Sequence, residues 1–415
     1  MRGDRAGRAA RAAALVATVL LVLPAPGAGA AVPVTDHQVG GWAPVADAPG
    51  TGDPRRPPPP PRHGPPPRAV PSDLLRLHRV HTIRGRISPK SVVGTGDGRF
   101  FAMNMMYSHS VTVYDRRFHL LRTISDAIRL STFRAGASSA RVRGAPVEGA
   151  VSPDRRFIYV TNYSMYGPGF AHPGWDHCYP GDRIDHSYVY RIDTHTLRIT
   201  GIYQAGEVPK YLAVSPDGRW LLVANWCSMD LTIIDLAHGR VARTIPAGWN
   251  PRGIAFSPDS RRAYIAETGM GDILVLDLRT LSPIRTIQGV GTRPRHLVMS
   301  PDGRYLYVTL EGVESSVLHD GAILKLDVET GRVVDRITGL VEPRTTVLAP
   351  DGRSLYVVDY FPGTLVKIAT GSMRRIQTVH LGYHPIGATY DGPTSTLWVA
   401  GYGGEIWILR DRPIR

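Results

Sequence analysis

Two cysteines, Cys178 and Cys227, are all the chain has in 415 residues, and no CxxCH occurs, so covalently attached c-type haem is excluded. A GxSxG nucleophile elbow is also missing, which removes support for a serine hydrolase. Lysine is scarce: Lys90, Lys210, Lys325 and Lys367 are the only four among 49 basic residues. The formal net charge of +14 therefore rests on arginine, much of it N-terminal, which weakens any argument from charge alone for a polyanion partner. No apolar run reaches the roughly 20 residues of a spanning helix.

What is present falls into three segments. Arg2, Arg5, Arg8 and Arg11 precede the apolar run at 12–23, and Ala28, Gly29 and Ala30 offer a small-residue cleavage site. Residues 1–30 thus read as a signal peptide, with no RR pair to direct twin-arginine export, and the expected location is secreted or extracytoplasmic with no transmembrane segment after cleavage. Residues 31–73 form a linker whose PRRPPPPPRHGPPP stretch has the composition of an extended spacer. Residues 74–415 carry a repeat.

Seven prolines open the repeats: Pro89, Pro146, Pro209, Pro251, Pro294, Pro343 and Pro385. The shortest spacing is 42 residues, the length of a four-stranded propeller blade. Each repeat turns at SPDG or a variant and runs through apolar strands such as YLAV, WLLVA and LTIID, so the expected fold is an all-β, seven-bladed propeller of antiparallel blades. The turn aspartates Asp97, Asp154, Asp217, Asp259, Asp302, Asp351 and Asp391 recur too regularly for catalysis and read as turn formers. The last repeat stops at Asp411 without a fourth strand, while residues 79–85 have the pattern of one, so an N-terminal strand is expected to close the ring.

The strings YVTN (159–162), LLVAN (221–225) and LYVVD (355–359), each after such a turn, resemble the YVTN-repeat β-propeller family and its lactonase-like and cytochrome d1-like relatives. The resemblance spans 79–411 and implies seven blades. Its members range from sugar lactonases to haem oxidoreductase domains, so it implies a blade and no single chemistry.

Function is expected where the repeats are longer than their unit. Insertions fall at about 126–145 in a D-to-A loop, between Asn162 and Asp193 in a B-to-C loop, and between Leu310 and Asp327 in another, all on one face. On that face the residue after each opening proline is a cation in five blades: Lys90, Lys210, Arg252, Arg295 and Arg344. Fifteen positions on, Glu267 and Asp359 are expected to pair with Arg252 and Arg344 across the hairpin, whereas Lys90, Lys210 and Arg295 have no acid opposite. These cations, with Asn162 and Asn225 beside them and Trp249 and Tyr383 as aromatic walls, make a small anionic ligand at the channel mouth the first expectation, a protein partner being the other occupant of this face.

A lactonase-like or lyase-like enzyme using the same mouth is the alternative, with His296, His384 and Glu148 as candidate acid–base groups. Polyanion or nucleic-acid binding through Arg129, Arg134, Arg141 and Arg143 is a second alternative. His172, Asp176 and His177 concentrate in the long insertion, but their spacing matches no closed zinc pattern, and no cofactor is expected. Cys178 and Cys227 sit in equivalent loops of adjacent blades and are expected to form a disulfide in a monomeric, exported protein.

Overall fold

The computed structural model describes residues 70–413 apart from 107, 135, 136, 180 and 314–318; the signal-peptide reading and nearly all of the linker lie outside the described residues. The described residues form seven sheets, with the opening proline first in its strand in six of them and Pro146 inside Arg141–Val151 in the second, and with three short 3-10 turns and no α-helix among them. Six sheets have four antiparallel strands; the second gains a fifth, Ile128–Arg129, from the first insertion. Each strand A packs on the strands A of both neighbouring blades, and that circuit of contacts closes on itself.

Period-two alternation explains why the blades stack. In strand B of blade three, Trp220–Asn225, Leu221 and Val223 pack toward blade two, whereas Leu222 and Ala224 pack toward blade four. Both faces are buried, so the strand reads as an unbroken apolar run, and each large side chain stabilises the fold by about 1.5–3 kcal/mol. Between the last blade and the first, Phe100 stacks on Trp398 with centroids 3.8 Å apart.

The closing strand is Leu75–Arg84, which pairs with Glu405–Pro413 from Leu75↔Pro413 to Arg84↔Glu405. It begins four residues before the expected 79. Lys367, fully buried in blade six, holds this seam: Nζ donates to Asp411 at 2.7 Å and to the carbonyl of Leu75 at 3.1 Å.

The SPDG turn works as its chemistry requires. In blade three Ser215 Oγ donates to Asp217 at 2.5 Å, Asp217 accepts Arg219 N–H at 3.1 Å, and Gly218 adopts φ +74°. Asp391 takes on a second role. It accepts the Thr394 hydroxyl within its own turn at 2.5 Å, and also Arg116 Nε and Nη2 of blade one, both at 2.9 Å, and so serves ring closure as an ion-pair partner.

Candidate functional site

The opening proline lacks an N–H and sits at the inner edge of its sheet, where no ladder bond is lost. Immediately after it the register slips. Pro209 faces Asn225 and Tyr211 faces Ala224, so Lys210 is an extra residue with no partner across the hairpin. The same slip follows the opening proline in every other blade. A bulge re-aims its side chain, and here all seven post-proline side chains point at the axis. With Met105, Tyr163, Asp176 and Tyr402 they enclose a cavity of about 50 Å³. Gly253 permits the tight inner ring, since a Cβ there would lie 2.7 Å from the carbonyl oxygen of Arg295.

The bulge overturns the expected pairing. Glu267 and Asp359 face Pro251 and Pro343, and neither reaches Arg252 or Arg344. Arg344 instead meets Glu311 of the preceding blade at 2.6 Å, and also Glu342. The cations expected to lack acids have them: Lys90 bonds Glu148 at 2.6 Å, Arg295 bonds Glu311 at 2.8 Å, and Lys210 bonds Asp176 from the long insertion. Arg252 is the exception. It is 5% exposed and lines the cavity, yet no carboxylate or other acceptor comes within hydrogen-bond distance of it among the described residues; it lies 5.8 Å from the face of Trp226, and Glu311, Glu148 and Asp176 act on it only through space.

Burial dominates the electrostatics. It pushes Lys210 down to about 7, with Asp176 offsetting part of the cost and Arg252 adding repulsion. Lys90 is pushed down to about 8 by the same cause, partly offset by Glu148. Burial raises the Glu311 carboxyl, and local desolvation raises Asp176 although its side chain is 63% exposed, but the cations beside them prevail and hold each at about 2. The five cations thus sit in a water-poor ring, where charge-assisted bonds are strong.

The remaining expected residues fall outside that ring. His296 is half-buried with Nε2 3.0 Å from the Tyr211 hydroxyl, and desolvation with nearby Arg252 and Lys90 drives it down to about 3, so the imidazole stays neutral. Glu148 serves Lys90. His384 stacks between Tyr360 and Tyr383, with centroids 4.2 and 3.7 Å away. Asn162 and Asn225 are fully buried, Asn225 bonding Asp230 at 2.6 Å and Thr232 at 2.8 Å, and neither lines the cavity. Trp249 and Tyr383, 55% and 64% exposed, also lie off it; Tyr163 and Tyr402 provide the aromatic walls.

Cys178 and Cys227 are disulfide-bonded. Two residues before Cys178, the Asp176 carbonyl accepts Trp226 Nε1–H at 3.0 Å and its carboxylate accepts Tyr163 O–H at 3.3 Å, so the insertion is strapped over the mouth. His172 and His177 are exposed, and no group of three or more His, Cys, Asp or Glu suited to a metal lies among the described residues. In the first insertion Arg129 and Arg141 donate to backbone carbonyls, Arg134 to Gln204, and Arg143 bonds Asp126.

The groups missed by sequence reasoning, Glu311, Tyr163, Tyr402 and Trp226, share a position. Each directly follows the residue that faces its blade's opening proline: Leu310, Asn162, Gly401 and Asn225. Adding the bulge to the register, a one-residue shift, makes this second axial ring legible.

The fold and this axial ring define a seven-bladed β-propeller. Residues 174–262 match a family model described as YNCE-like beta-propeller. Dihydro-heme d1 dehydrogenase of Pseudomonas aeruginosa is 27% identical over 124 residues, 30% of this chain; the matched segment spans only a fifth of that enzyme. Hydrazine synthase of Kuenenia stuttgartiensis superposes with TM-score 0.51 at 25% identity, over 61% of this chain and 73% of that one. The family model agrees, over the residues it matches, with the propeller that the seven sheets form.

Proposed function

We propose that this protein binds a small anion in the axial cavity, with Arg252 as its principal ligand. The observation that carries this is the buried guanidinium without an acceptor. A buried charge without a hydrogen-bonded counter-ion costs several kcal/mol; Glu311, Glu148 and Asp176 offset part of this through space, and an anion arriving in the cavity offsets more. A cavity of about 50 Å³ suits roughly three to five non-hydrogen atoms, the size of formate, acetate or glycolate. That volume also argues against a tetrapyrrole on the axis, despite the haem in the name of one relative. The disulfide and the signal-like N-terminus support export, and no helix among the described residues is long and apolar enough to cross a membrane.

The lactonase-like alternative gains no base from His296, because an imidazole held near 3 accepts protons weakly at neutral pH. The polyanion reading is weakened by the carbonyls and side chains that engage Arg129, Arg134, Arg141 and Arg143. A thermal-shift series at constant ionic strength tests the proposal. Formate, acetate and glycolate should raise the melting temperature with saturation, as specific ligands do, whereas a shift that tracks ionic strength alone would remove the site.

A further inference from the structure

We infer that Lys210 forms an imine with a small 2-oxo acid, whose carboxylate lies against Arg252. This rests on the anion site and adds a covalent step to it. Lys210 Nζ and the Arg252 guanidinium line the same cavity, so one ligand of a few atoms meets both. Lys210 is 5% exposed, and that burial, with Arg252 nearby, favours the uncharged amine over the cation–π contacts that Nζ makes with Tyr163 and Trp226 at 5.6 and 5.2 Å. Its depressed pKa of about 7 leaves much of it as free amine at neutral pH.

Asp176 completes the set. Its Oδ1 accepts from both Nζ and the Tyr163 hydroxyl, a short relay for protons. In the step, the Nζ lone pair attacks the carbonyl carbon and the C=O pair moves to oxygen. One amine proton passes through Asp176 to that oxygen. The second follows it, the C–O bond breaks, water leaves and C=N forms, so no oxidant or reductant is consumed. An iminium that keeps a proton remains paired with Asp176. Lys90, the other amine of the cavity, bonds Glu148, to which no phenol hydrogen-bonds among the described residues, the Tyr211 hydroxyl nearby being engaged with His296, and it is expected to react more slowly.

The test incubates the full chain with glyoxylate and cyanoborohydride, then maps the product by peptide mass spectrometry. The expected result is one carboxymethyl group on Lys210, formed at least tenfold faster than on Lys90, Lys325, Lys367 or the N-terminal amine. Arg252→Met should slow it at least tenfold, and native circular dichroism of that variant shows whether it is folded. Glycolate, which has the carboxylate but no carbonyl, separates the two readings. Glycolate binding with Lys210 unlabelled overturns the imine and leaves the anion site. Label spread evenly over the amines, or found on Lys90 alone, also overturns it.

Discussion

Arg344 of blade six reaches back to Glu311 of blade five at 2.6 Å, past Asp359 of its own blade. Glu311 also takes Arg295 at 2.8 Å and Arg293 at 3.4 Å, so one buried carboxylate neutralises a cluster of guanidinium groups. Glu311→Gln should cost about 3–5 kcal/mol in urea unfolding, the usual penalty for leaving buried charge uncompensated. Added acetate should restore more stability to the variant than to the wild type. A loss under 1 kcal/mol would mean that the ring tolerates excess positive charge.

Lys367 joins blade six to both strands of the closing seam through Asp411 and the Leu75 carbonyl. Removing its charge strands Asp411, and Lys367→Met is expected to lose about 3–5 kcal/mol, whereas Lys367→Met with Asp411→Leu should recover much of that. Equal losses in the single and double variants would contradict the account of the seam.

Ring closure makes a truncation experiment informative. Deleting residues 75–88 removes the strand that covers Glu405–Pro413 and should give a destabilised, aggregating protein with a bare sheet edge. Deleting 31–69 keeps the Ser72 and Asp73 bonds to Asp351 and Arg353 and should leave the melting temperature unchanged. Indistinguishable melting of the two truncations would rule out closure by this strand.

The disulfide closes a loop with a sequence separation of 49, and its removal should cost about 4 kcal/mol in the chain-entropy model. Because Asp176 lies two residues from Cys178, the double Cys→Ser variant should also bind small anions more tightly, as Lys210 loses its competing carboxylate. Thiol titration of unreduced, denatured protein should find no free thiol; two would contradict the bond.

Lys210 and Lys90 stand near 7 and 8 in the folded protein, below the ordinary 10.5. Between those values and 10.5 the unfolded chain holds more protons, so these two groups make stability rise with pH across that window. Anion binding has the opposite dependence, since it favours the ammonium. Affinity should fall as pH rises from 7 to 9, and calorimetry in two buffers of different ionisation enthalpy should show proton uptake on binding near pH 8. Binding with no proton uptake would place the anion away from both lysines.

Blade number, ring closure and the cysteine pair were legible because each follows from a repeat seven times sampled or from one visible departure from it. The five axial cations were legible for the same reason. Their partners were not. Asp176 comes from an insertion that no other blade shares, and Glu311 acts on the next blade as well as its own, so within-repeat spacing cannot reach either. The bulge after each proline leaves no mark in composition, because it is a backbone count, and ignoring it shifted every cross-strand pair by one.

The central claim is that Arg252 is a buried cation awaiting an anion. Isothermal titration of formate into the wild type and into Arg252→Met, at one ionic strength and at pH 6.5, tests it most directly. The expected result is saturable, one-site binding by the wild type, weakened at least tenfold in a variant that keeps the native circular dichroism spectrum. Equal affinity in the two proteins, or no saturable binding by the wild type, would contradict it.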